Sequence, residues 1–322
     1  MAPKIPKMTI KRRFTLLLSG DDSAADALQE SPTRGLPHER FLLGAGTPVA
    51  PFLLLGLQGA QSGFDQNTPL ACIQPVHLHA TRDHLVLMHP DQIPLSDAES
   101  SALLEEAKPL LAELLGTELI HADANHWFVS AGTLASLATH TVDQAHGRNI
   151  DWWLPRDTHK PGIARAWRKL QNEIQMLWHI SPSNAARQAQ GLPAINSIWI
   201  SGIGSIGDLQ APSDLIASQC IITDHPLLRG IAAHLNKPCV DQPNPENGVG
   251  GFAWLKNPES IWPFIQSALQ DETLDELLLI DFPDGRERKR IIGVADIKKT
   301  SWAFWRKPML LTFDELTGTA SA

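Results

Sequence analysis

Gly202, Gly204 and Gly207 form a G-x-G-x-x-G directly behind the apolar run 195–200. That is the spacing with which backbone amides cradle a dinucleotide pyrophosphate. Asp224, closing the next apolar run, stands where an acid would take a ribose hydroxyl. The same chemistry needs a helix N-terminus aimed at the phosphates. Pro212 interrupts any helix here within about two turns, and too few residues remain before Cys220 for a full crossover. A nicotinamide-dependent oxidoreductase therefore rests on the glycines alone.

Other residue sets suggest metal chemistry. His77 and His79 share one face of a strand and could chelate a cation. His84 and His89 follow nearby, but no Cys or carboxylate stands at matching spacing, so surface and turn histidines are the preferred reading. Asp224-His225 at a strand end has the form of a metal-holding pair in phosphate-ester enzymes; Asp224 as the cap of a helix opening at Pro226 is the simpler alternative. Ser19-Gly20-Asp21-Asp22 follows the first apolar run, where a metal-binding Asp would sit in an α/β hydrolytic site.

The densest polar block runs from Asn172 and Glu173 through His179, Asn184 and Arg187 to Asn196. A helix end, a turn and a strand start would bring amides and a guanidinium together. Arg binds phosphate bidentately and amides orient its oxygens. The same groups could instead tie helix to strand, and both readings stand.

These groups need elements to hold them. Residues 14–18 read as a buried strand entering a polar turn, and 21–75, rich in Gly, Pro and Ser, as long loops and short helices. From 76 a hairpin is expected (76–81 and 85–88). A capping box at Ser96 and Glu99 opens a helix to Leu115, stopped by Gly116, and strands follow at 118–122 and 126–130. Residues 163–180 repeat apolar side chains at helical steps (Ala166, Leu170, Ile174, Leu177). Strands at 195–200, 220–223, 277–280 and 309–312 alternate with helices at 227–235 and 260–269. The alternation implies an α/β fold, a mainly parallel sheet with helices on both faces, carrying an inserted small α+β domain. The expected division is a basic tail at 1–13, a core domain from 14–75 and 151–322, and the insert at 76–150.

The 322 residues, 43% hydrophobic and 19% charged, suffice for a full core. A net charge of −8 speaks against general nucleic-acid or membrane-surface binding. Cys72, Cys220 and Cys239 are scattered and show no zinc spacing, as in a reduced cytoplasmic protein. The apolar run behind the basic start is too short for a signal core, and no run approaches a membrane span.

Residues 179–207, with His179, Asn184, Arg187, Gly191, Pro193, Asn196 and Gly202-x-Gly204, resemble a segment of archaeal-type cofactor-independent phosphoglycerate mutases. The resemblance extends over about 76–240, the 76–130 module being similar to the insert domain of those enzymes. It implies an alkaline-phosphatase-like core with two divalent metals, held by Asp and His, activating a phosphoryl-carrying Ser. Here the family's D-G after the first strand is reversed as Gly20-Asp21, and 21–75 holds no convincing nucleophilic Ser. Thr312-Phe-Asp314-Glu315 stands where T-x-D-H is expected, and Asp281 lacks its companion D-x-x-x-H. Losing several ligands removes nucleophile activation and charge stabilisation together. The chain also resembles the degenerate proteobacterial proteins filed as RpfE-type regulatory proteins.

The expectation is a catalytically degenerate, cytoplasmic, regulatory or ligand-binding protein without a cofactor, its partner an anionic small molecule or another protein. Asn184, Arg187 and Asn196 would bind the anion. The alternative is an active phosphatase or phosphomutase using Mn or Mg at Asp21, Asp281, Asp314 and Glu315, since carboxylates can replace histidines for these ions. Trp302, Phe304 and Trp305 are expected in the core or in an interaction face.

Overall fold

The computed structural model describes residues 11–22, 32–59, 67–116, 119–298 and 310–318. In chain order the strands are β1 (Arg13–Leu17), β2 (Leu70–Val76), β3 (Leu78–Ala80), β4 (Leu85–Leu87), β5 (Leu119–Asp123), β6 (His126–Ser130), β7 (Leu137–Ala138), β8 (Arg156–Asp157), β9 (Ser197–Gly204), β10 (Cys220–Thr223), β11 (Cys239–Val240), β12 (Gly251–Trp254), β13 (Glu276–Asp281) and β14 (Arg288–Ile292). The α-helices are α1 (Pro37–Leu43), α2 (Val49–Gln58), α3 (Asp97–Leu115), α4 (Val142–Ala145), α5 (Ile163–His179), α6 (Pro182–Ala189), α7 (Ser213–Ala217), α8 (Pro226–His234), α9 (Trp262–Gln270) and α10 (Phe313–Thr317).

The fold is mixed α/β. Its larger sheet has the order β11-β10-β12-β1-β13-β14. All pairings are parallel except that of β13 with β14. Strands β1, β10, β12 and β13 are buried almost throughout, which is why they read as continuous apolar runs. Helix α9 packs on one face with Phe14, Leu277 and Leu279, and α2 and α8 on the other with Leu17, Ile221 and Ile280.

The second sheet, β5-β6-β2-β9, is antiparallel. It takes strands from both sides of the expected insert. Helices α5 and α3 cover this sheet through Trp167, Ile174, Trp178, Leu103 and Leu111. Strand β2 was expected as loop. Buried along nearly its whole length and containing Pro75, it lacks the alternation of a half-exposed strand.

The α3 capping box is present, with Ser96 accepting from the Glu99 amide and Glu99 accepting from that of Ser96. The strand expected at 309–312 is absent among the described residues, where Leu310 makes only an isolated bridge to Lys298 and Thr312 caps α10. Trp302, Phe304 and Trp305 lie outside the described residues. Of the ten tryptophans, Trp127, Trp153, Trp167, Trp178 and Trp199 are fully buried. The indoles of Trp127, Trp178 and Trp199 each donate to an internal oxygen, so much of the unusual aromatic content is core. Among the described residues no helix is long and apolar enough to cross a membrane.

Candidate functional site

Parallel strands put their carboxyl ends at one edge of a sheet, and ligands of open α/β sheets bind outside that edge. Here β1 ends into Ser19, Gly20 and Asp21, β10 into His225, and β12 into Trp254 and Lys256, and all six line a cleft of about 610 Å³. The antiparallel half closes it with Gln74, His89, Asp91, Asn125, His126, Asp143, His146 and Ser201, while α1 contributes His38 and Glu39.

Trp254 organises the floor. Its indole N–H donates to Ser19 Oγ at 3.0 Å. The His225 ring lies flat on it, 3.7 Å between centroids and 3° from parallel, and His38 approaches at 5.1 Å. Burial lowers the His225 pKa, more than the nearby Asp224 charge raises it. His225 Nε2 is buried and has no hydrogen-bond partner among the described residues. A neutral imidazole with a spare nitrogen can accept or relay a proton.

Two neighbours on α1 carry opposite perturbations. Burial pushes His38 down to about 4, its Nδ1 lying 3.1 Å from the Gly20 amide. Burial, reinforced by the Asp143 charge, pushes Glu39 up to about 8. Glu39 Oε2 accepts from the Leu36 amide at 2.6 Å. Both side chains are therefore neutral near pH 7.

The wall opposite is ionic. His89 Nε2 sits 3.2 Å from Asp143 Oδ1, and the His89 and His146 rings meet at 4.9 Å. The bond to Asp143 raises the His89 pKa against its own desolvation. Desolvation works upward on Asp143, but the His89 bond and the surrounding imidazoles outweigh it and the net shift is down. Asp123 is held down likewise by His126, 2.8 Å away, despite desolvation.

The sequence-predicted residues are dispersed. Asn184 is buried and donates to the Trp178 and Ile195 carbonyls while accepting from the Ile195 amide. Arg187 is wholly buried, its Nε on Pro193 O and its Nη1 on Pro94 O and Glu99. Asn196 exchanges both bonds with the Leu78 backbone. These three tie α5, α6, α3 and β3 together and do not line the cleft. The atoms named here meet backbone groups or Glu99, as in the helix-to-strand alternative, while Arg187 Nη2 is buried without a hydrogen-bond partner among the described residues.

The proposed metal acids do not converge either. Asp21 lines the cleft. Asp281 ends β13 but is engaged by Arg288 at 2.8 and 2.6 Å and by Arg290 at 2.7 Å. Glu315 closes the capping box of α10 with Thr312, and Asp314 lines a separate cavity beside Trp262. Among the described residues no three His, Cys, Asp or Glu side chains are grouped to hold a metal ion. Asp224 does not cap α8; its Oδ1 accepts from the Lys256 amide and joins the ends of β10 and β12. His77 bonds the Ala194 carbonyl and stands 6.1 Å, ring to ring, from His79.

The glycine motif has a packing cause. Gly202 and Gly204 lie in antiparallel β9. A Cβ on them would stand 2.7 Å from the Ala50 amide nitrogen and 2.5 Å from Pro48 Cβ. They let the start of α2 rest on the strand, and a short 3-10 turn at Ile206–Asp208 follows instead of a crossover helix. No helix N-terminus meets a pyrophosphate there.

Of the cleft residues, sequence reading singled out Ser19, Gly20, Asp21, His89 and His225. The other lining groups come from separate segments and carried no signal.

No protein-family model and no curated protein matches the chain. Among solved structures it is similar to the cofactor-independent phosphoglycerate mutase of Thermoplasma acidophilum, with 13% identity and a TM-score of 0.37 over 88% of this chain and 89% of that one. It is also similar to a Pyrococcus horikoshii protein, with 12% identity and a TM-score of 0.35 over 89% and 90%.

Proposed function

We propose that the cleft at the carboxyl edge of the parallel sheet binds a small anionic molecule, and that the chain is a catalytically degenerate, phosphoglycerate mutase-like protein with a ligand-sensing role. The observation that carries this reading is the pairing of a cleft lined by carboxylates, imidazoles and Lys256 with the dispersal of its would-be metal ligands. Asp21 faces the cleft, Asp281 is neutralised by two arginines, and Asp314 and Glu315 stand on a helix beside another cavity. Lys256 supplies positive charge, the bond to Asp143 raises the His89 pKa, and His225 has a nitrogen without a hydrogen-bond partner among the described residues whose protonated form a bound anion would stabilise. The motif resemblance at 179–207 supports the family, and the resemblance to RpfE-type proteins supports a regulatory role.

The test is a titration of the protein with inorganic phosphate and small phosphorylated hydroxy acids, read by tryptophan fluorescence. Trp254 should report binding through its stacked His225. The expected result is saturable quenching that Lys256→Ala and His225→Ala weaken and Arg187→Lys leaves in place. Silence across all probes sinks the anion site. Metal content after gel filtration in Mn²⁺ buffer is the companion measurement. Two tightly held ions per chain would restore the metal-dependent phosphatase reading.

A further inference from the structure

The outer face of α5 combines basic and apolar side chains. Arg165, Lys169, Asn172, Met176 and Ile180 recur at three- and four-residue steps and are all exposed, forming one outward stripe. Its first half is basic; its end is apolar, with Met176 74% and Ile180 79% exposed. Helix α6 continues the apolar surface with exposed Pro182, Ala185, Ala186 and Ala189. From 175 through 190 no exposed side chain is Lys, Arg, Asp or Glu, and Arg187, the one charge there, is buried. Depletion of charge with enrichment in Met is the composition of an interface centre.

The neighbouring helix carries the opposite sign. Helix α3 holds Asp97, Glu99, Glu105, Glu106 and Glu113 against a single Lys108. Its first half abuts the end of α5 and the start of α6: the Trp178 indole donates to the Leu103 carbonyl, Ser181 to Glu106, and Arg187 to Glu99. The apolar patch is thus flanked by basic α5 on one side and acidic α3 on the other. A surface with both signs across an apolar centre is complementary to itself under a two-fold rotation, as an isologous interface requires.

We propose that this face docks a second copy of the chain. The two-fold axis passes near Met176 and Ile180, and Arg165 and Lys169 of each copy meet the acidic side chains of α3, Glu105 among them, in the other. The two clefts stay open, because none of these residues lines them.

Sedimentation velocity across the micromolar range tests it. The full chain should sediment as a dimer, twice its 35.3 kDa. Met176→Glu combined with Ile180→Glu should weaken dimerisation by about 30-fold or more, the size of a hot-spot loss, with unchanged far-UV circular dichroism. Lys169→Glu should weaken it less, and Glu105→Lys added to Lys169→Glu should restore part of the loss. A monomer at every concentration overturns the proposal, whether or not another protein occupies the face. So does a dimer that the double Glu variant leaves intact.

Discussion

Gly56 and Gly230 face each other across the α2–α8 crossing, each with its amide nitrogen within 3.1 Å of where the other's Cβ would be. A methyl at Gly56 would also stand 1.7 Å from the Pro226 carbonyl oxygen, and one at Gly230 the same distance from that of Phe52. Backbone cannot swing aside as a side-chain tip can. Gly56→Ala and Gly230→Ala should each destabilise by about 3 kcal/mol, the upper end for overpacking. Urea denaturation checks this, and a loss under about 1 kcal/mol would show that the helices can separate.

Arg187 is a structural cation. Removing it strands the Pro193 and Pro94 carbonyls and the Glu99 carboxylate. Arg187→Ala should cost about 3–5 kcal/mol, as breaking a buried pair does. Arg187→Lys should recover only part, because an ammonium cannot reach three acceptors in fixed directions. The measurement is thermal unfolding of both variants.

Glu39 makes stability fall as pH rises. Its carboxyl titrates near 8 in the fold against 4.5 ordinarily, so between those values the unfolded chain releases a proton that the native one keeps. Stability is unaffected below pH 4.5 and declines up to about pH 8. Glu39→Gln should stabilise the protein at pH 7 by roughly 3 kcal/mol and by little at pH 4.5. Chemical denaturation of both proteins across this range, giving parallel curves, would refute the assignment.

The His89–Asp143 pair acts in the same direction, stability again falling as pH rises. The His89 pKa is raised by Asp143, so its contribution is fully present below the ordinary histidine value and disappears as pH passes the raised one. Asp143 is 63% exposed, so the gain is small, under about 1 kcal/mol. Asp143→Asn should lower the His89 titration midpoint, followed by its ring proton resonances. An unmoved midpoint would assign the shift elsewhere.

Much of the local structure was legible in residue order. The helix from Ser96 to Gly116 announced itself by its caps, α5 by its apolar repeat, and β10 and β13 by their apolar runs. These signals are local, each being an interaction between residues a few positions apart. The partner of a strand is not encoded that way. Strand β9 reads as a buried strand in either sheet, and only the register of Cys72 with Ser201 and Ile73 with Ile200 assigns it to the antiparallel one.

The sequence by itself determined an α/β chain with a mainly parallel sheet, its capped helices and the acidic turn at Asp21. Tertiary structure alone decided which polar groups face solvent. Asn184, Arg187 and Asn196 have the right types for an anion site, yet burial directs them to carbonyls and amides nearby. His38, Glu39, His89, Asp143 and Trp254 meet in one cleft though they span more than two hundred positions. Their protonation depends on that meeting, because desolvation and the field of neighbouring charges exist only once the sheets have packed.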